Sequence, residues 1–148
     1  MSVVADTAQA ASRALLPAES GFAESNGVRV AYEVFGQGEE TILFLPPWSI
    51  THSRFWKLQV PYLARHFRVV TFDPRGNGRS DRPETTAEYG PHAEADDALA
   101  VLDATGTARC VLVAHCAGAG GALLLSADHA ERITACLLYT SPSPRDRS

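Results

Sequence analysis

The sequence predicts an α/β fold, a mostly parallel central sheet flanked by helices and opened by an antiparallel hairpin. Three observations carry that expectation. Short continuous apolar runs, Thr41 to Leu45, Val69 to Phe72 and Cys110 to Val113, read as strands covered on both faces. Stretches with helical apolar spacing alternate with these runs, which is the pattern of right-handed βαβ units. Near the start, Asn26-Gly27 separates two strand-like stretches, and this dipeptide favours the positive φ values of a tight hairpin turn.

The elements follow in order. Residues 1–20 are Ala-rich and polar and are expected to form a weakly ordered leader. Phe22 to Glu24 and Val28 to Val34 form the hairpin, Gly36-Gln37-Gly38 breaks it, and Thr41 to Leu45 is the next strand. Ser53 to Arg65 has one apolar stripe of Phe55, Trp56, Val60, Leu63 and Ala64, and Pro61 should kink or split this helix. Val69 to Phe72 is a buried strand leading into the glycine-rich turn Asp73 to Ser80. Glu94 to Ala104 reads as an amphipathic helix with Ala95, Ala98, Leu99, Val101 and Leu102 inward, stopped by Gly106. Cys110 to Val113 is a strand, Ala117 to His129 a helix, and a further strand starts at Ile133.

Composition narrows the function classes. The 148 residues are 45% hydrophobic and 20% charged, ordinary for a globular domain. A net charge of −4 favours neither nucleic acid nor an anionic membrane surface as partner. Three cysteines make no even disulfide framework, so they read as reduced thiols of a cytoplasmic protein. The first residues lack a basic region followed by an apolar core, and the stretch Ala117 to Leu125 is roughly half as long as a transmembrane helix. His52, His66, His92 and His129 lack metal-ligand spacing, and no helix follows Gly76 and Gly78 to cradle a phosphate. No metal or cofactor is expected.

The segment Val111-Leu112-Val113-Ala114-His115-Cys116-Ala117-Gly118 carries the chemistry. It reads as an apolar strand that turns sharply, offers one nucleophilic side chain and enters a helix. Small residues two before and two after Cys116 leave room for such a turn. This segment resembles the nucleophile elbow of the α/β-hydrolase fold family, with Cys at the nucleophile position and Ala114 in place of the first Gly. Asp73-Pro74-Arg75-Gly76-Asn77-Gly78-Arg79-Ser80 is similar to the family's strand-and-turn signature, and the hairpin around Asn26-Gly27 resembles its first two strands. The ordered set covers residues 21–135 as the N-terminal part of such a domain. Asp73 and Arg75 are expected to hold their loop rather than touch substrate. His115 is expected to pack at the turn, and Cys110 to fill space.

The resemblance implies a reaction. A thiolate at Cys116, favoured by the helix it precedes, would attack the carbonyl of an ester or similar small molecule and form an acyl-cysteine. The oxyanion would be met by the N–H of Ala117 and by a second N–H from the loop Leu45 to Ser49. The family commonly has His-Gly where this chain has Pro46-Pro47, so the donor carried over is Trp48. The triad acid and histidine follow the nucleophile in this family. His129, the one downstream histidine, would lie on the order of 20 Å away at the far end of the helix, and Asp128 fails likewise. Residues from about Cys136 onward resemble translated sequencing adapter and are expected to be a non-native tail, 136–148; the other reading is a strand with a Pro/Ser-rich tail. The chain is thus read as a truncated domain, inactive alone. The alternative is that Cys116 only fills the place of a serine in a ligand-binding or regulatory module. Cys116 argues against dehalogenases and epoxide hydrolases, which need a carboxylate at the elbow.

Overall fold

The computed structural model describes residues 15–48 and 50–139. Six strands, β1 (Glu19–Ser25), β2 (Val28–Phe35), β3 (Thr41–Phe44), β4 (Arg68–Phe72), β5 (Cys110–His115) and β6 (Ile133–Tyr139), form one sheet in the order β1-β2-β4-β3-β5-β6. The hairpin β1–β2 is antiparallel and closes through Asn26 (φ 50°) and Gly27 (φ 82°), as the dipeptide predicts. β2 also pairs antiparallel with β4; the pairings β4–β3, β3–β5 and β5–β6 are parallel. This is the mixed sheet that the apolar runs call for.

Three helices cover the sheet: α1 (Gln59–Leu63), α2 (Pro91–Ala104) and α3 (Gly118–Asp128). Alternation along the central strands divides the core between the two faces. Leu43, Leu45, Leu112 and Ala114 join Ala98, Val101, Leu102 and Ala122 of α2 and α3. Ile42, Phe44 and Val69 join Trp56 and Val60 on the opposite face. The stretch Ser53 to Arg65 does split, into a 3-10 turn (Ser53–Trp56) and α1, but the break precedes Pro61. Pro61 sits in the first turn of α1, where its missing N–H has no intrahelical acceptor to lose. Phe55, expected in the apolar stripe, is exposed.

Boundaries shift in three places. β1 starts at Glu19, inside the stretch expected to be leader, and residues 1–14 lie outside the described part. α2 begins three residues before Glu94, with Gly90 at φ 120° ahead of Pro91 in the first helical position. β6 runs on through Tyr139, so the structure has no break at Ala135; residues 140–148 are outside the described part. Most of β6 is exposed, and among the described residues it pairs on one side only, with β5. Among the described residues no helix is long and apolar enough to cross a membrane.

Candidate active site at the β5–α3 turn

The strand period decides which side chain reaches the turn's apex. Ala114 faces the α2–α3 layer, and His115 therefore faces the other, where its ring lies 6.2 Å from Phe55 and 5.2 Å from Tyr139. Its Nδ1 stands 2.9 Å from the Tyr139 carbonyl, which can only accept, so Nδ1 is the protonated nitrogen. Cys116 comes next and is exposed, with φ +57°. A non-glycine residue in this left-handed region costs about 1–2 kcal/mol, a strain that the surroundings must hold. They do so from both sides: the Cys116 N–H donates to the Tyr139 carbonyl at 2.9 Å, and α3 starts at once.

Gly118 explains the small residue two places on. A Cβ there would stand 2.5 Å from the Pro46 carbonyl oxygen, a backbone atom that cannot swing away. The turn is thus pressed against the loop after β3. The expected oxyanion donor, the Ala117 N–H, is engaged in this same contact, donating to the Pro47 carbonyl at 3.1 Å. Pro46 and Pro47 have no N–H to offer, and the Pro47 carbonyl instead stands where an incoming carbonyl oxygen would accept. Trp48 is exposed and lines a cavity of about 190 Å³ that reaches the turn at Ala117. Ser49, the end of the expected loop, is outside the described residues.

The other cysteines differ from Cys116 in environment. Cys110 is buried among β-strand side chains, and burial pushes its thiol up to about 12. Burial also raises the Cys136 thiol, against a Ser126 hydrogen bond that lowers it. His129 caps the far end of α3 with its Nδ1 3.6 Å from Glu131. Neither it nor Asp128 reaches the thiol. Among the described residues no group of three His, Cys, Asp or Glu side chains is placed to hold a metal ion.

Asp73 and Arg75 do hold their loop. Asp73 accepts from the N–H groups of Ser53 (2.8 Å) and Arg79 (3.0 Å), and its carbonyl accepts from Ser80 Oγ. Arg75 makes a bidentate buried ion pair with Asp97 of α2, and also donates to the Glu88 carbonyl (2.8 Å) and Ser25 Oγ (3.3 Å). Sequence reasoning missed both Asp97 and Glu94, which line the cavity beside the turn. Their signal was present: positions 94, 97 and 101 fall on one helical stripe with Ala98, so two carboxylates stand on the inward face.

Comparison with known proteins agrees with this fold. A family described as alpha/beta hydrolase fold matches residues 40–146. "Putative carbamate hydrolase RutD" of Caulobacter vibrioides is 38% identical over 122 residues, which is 78% of this chain and 45% of that protein. "2-heptyl-3-hydroxy-4-quinolone dioxygenase AqdC2" of Rhodococcus erythropolis is 37% identical over 105 residues, 68% of this chain and 37% of that one. The solved structure of Est816, described as an N-acyl homoserine lactone degrading enzyme, superposes with a TM-score of 0.73 at 36% identity, covering 80% of this chain and 44% of that one. The chain therefore spans less than half the length of these relatives.

Proposed function

The chain belongs to the α/β-hydrolase fold family, and from that premise we propose that Cys116 is the nucleophile of a cytoplasmic hydrolase of small esters or related carbonyl compounds. One observation carries the reading: a solvent-open thiol at φ +57°, at the apex of a strand-to-helix turn whose next N–H points at a carbonyl oxygen. The thiolate sulfur adds to the carbonyl carbon, and the π electrons move to the oxygen. Collapse expels the alcohol, which takes up a proton, and leaves an acyl-cysteine; water then cleaves the thioester and restores the thiol. In the first step the substrate oxygen replaces the Pro47 carbonyl at the Ala117 N–H, and the Trp48 N–H is the second donor. That exchange requires the Pro47–Trp48 peptide unit to turn over, taking its carbonyl away from Ala117 and bringing its N–H inward. The names of RutD and Est816 support carbonyl chemistry of this kind.

Deacylation needs a base. Neither His129 nor Asp128 supplies it, so the 148 residues are expected to acylate quickly and deacylate slowly. With p-nitrophenyl acetate the chain should release about one equivalent of nitrophenolate and carry one acetyl group on Cys116, and Cys116→Ala should release none. A second reading, a non-catalytic ligand-binding module, is favoured by the Pro47 carbonyl on the Ala117 N–H. Failure of p-nitrophenyl acetate to acylate Cys116, with iodoacetamide still alkylating it, would decide for that second reading.

A further inference from the structure

The cavity beside the turn contains a carboxyl group that the acyl transfer does not use. Glu94, in the first turn of α2, lies across α3: a Cβ on Gly121 would stand 2.9 Å from its Oε2 and 3.1 Å from its Cβ. The glycine opens a groove for this side chain, just as Gly120 gives way to Pro91. Among the described residues no hydrogen bond or ion pair engages the Glu94 carboxyl. The nearby cation, Arg75, is already committed to Asp97. Glu94 shares the cavity walls with Trp48, Tyr89 and Ala117.

We propose that this cavity takes the uncharged, carbonyl-bearing part of a ligand, and that Glu94 selects it by donating a hydrogen bond from its carboxyl group to the ligand's oxygen. The inference rests on the cavity being the substrate site beside Cys116, and it adds the class of group accepted there. Its size suits a single ring or a short acyl chain, since about 150 Å³ of dry space already takes a benzene. Desolvation by burial, with the Asp97 charge acting in the same direction, raises the Glu94 carboxyl to about 7. The titratable and charged groups that share the cavity with Glu94 are Asp97 from its own helix, Arg75 from the loop after β4 and Tyr89 from the preceding turn. As pH climbs through 7 the carboxyl loses its proton, and an acceptor oxygen in the cavity then meets a carboxylate.

The test uses acetophenone, which accepts but cannot donate or be hydrolysed, and ethylbenzene, which has its shape without the oxygen. Titrating each into the full chain and following the amide resonances of Ala117 and Gly121 should show acetophenone weakening three- to tenfold between pH 6 and pH 9, with ethylbenzene unchanged. Glu94→Gln should keep the pH 6 affinity at both pH values. Cys116→Ala should leave the pH dependence intact, which separates this proposal from the thiol reading. Acetophenone affinity that is flat with pH, a fall that persists in Glu94→Gln, or no shift at either amide would each overturn it. If Glu94→Gln failed to fold, the contrast between the two probes in the unaltered chain would still decide the matter.

Discussion

Cys116 keeps its left-handed conformation between the Tyr139 carbonyl and the start of α3, and Gly118 lets that turn lie against the loop after β3. Adding one methyl group at Gly118 would drive a Cβ into the Pro46 carbonyl at 2.5 Å, so either α3 or the β3 loop must move. Gly118→Ala should therefore destabilise the chain by about 1–3 kcal/mol in urea unfolding, and should slow acylation of Cys116 as well. A neutral effect on both would mean that the loop yields easily. The sharp turn at Cys116 and the need for a small residue at position 118 were legible in the sequence. The Pro47 carbonyl on the Ala117 N–H was not, because a dipeptide without N–H groups says what it cannot donate and nothing of where its oxygens turn. Glu94 and Asp97 escape for another reason: an apolar stripe marks which face of a helix is buried, and gives no sign that a carboxylate on that face is buried with it.

At the scale of elements, α2 links the hairpin, the loop after β4 and the cavity. Its C-terminus closes as the sequence predicts. Gly106 at φ 61° lets the Thr107 N–H reach the Leu102 carbonyl at 2.8 Å and the Gly106 N–H reach the Asp103 carbonyl at 3.1 Å. In the middle of the helix Asp97, 1% exposed, fixes Arg75 and through it the turn that follows β4. Asp97→Asn leaves a buried guanidinium without its counter-charge and should cost about 3–5 kcal/mol. Asp81→Asn breaks an ion pair whose partners are 61% and 36% exposed, where solvent screens the attraction, and should leave the unfolding midpoint close to that of the unaltered chain. Equal effects in urea unfolding would contradict the structural role given to Arg75. Most element types were legible because short continuous apolar runs alternate with helically spaced apolar stripes along the chain. The edges were less so: the start of α2 depends on Gly90, a backbone geometry with no apolar signature, and β1 extends into a stretch whose polar residues gave no strand pattern.

At the scale of the molecule, the sheet order β1-β2-β4-β3-β5-β6 sets β5 between two parallel neighbours and brings the elbow to the carboxyl end of the strands. The same arrangement sorts the three cysteines. Cys110 lies at 1% exposure within the core, Cys136 lies on the outer strand with its thiol raised by burial, and Cys116 projects from the bend. The family was readable from the order of hairpin, glycine-rich turn and elbow. Position along the sheet was not, since parallel strands of similar apolar content do not announce their neighbours. Timed iodoacetamide alkylation of the native chain at neutral pH, read by peptide mass mapping, tests whether the Cys116 sulfur is the accessible nucleophile. Modification of Cys116 first, Cys136 more slowly and Cys110 only after denaturation is the predicted order; a Cys116 that stays unmodified while Cys136 reacts would contradict it.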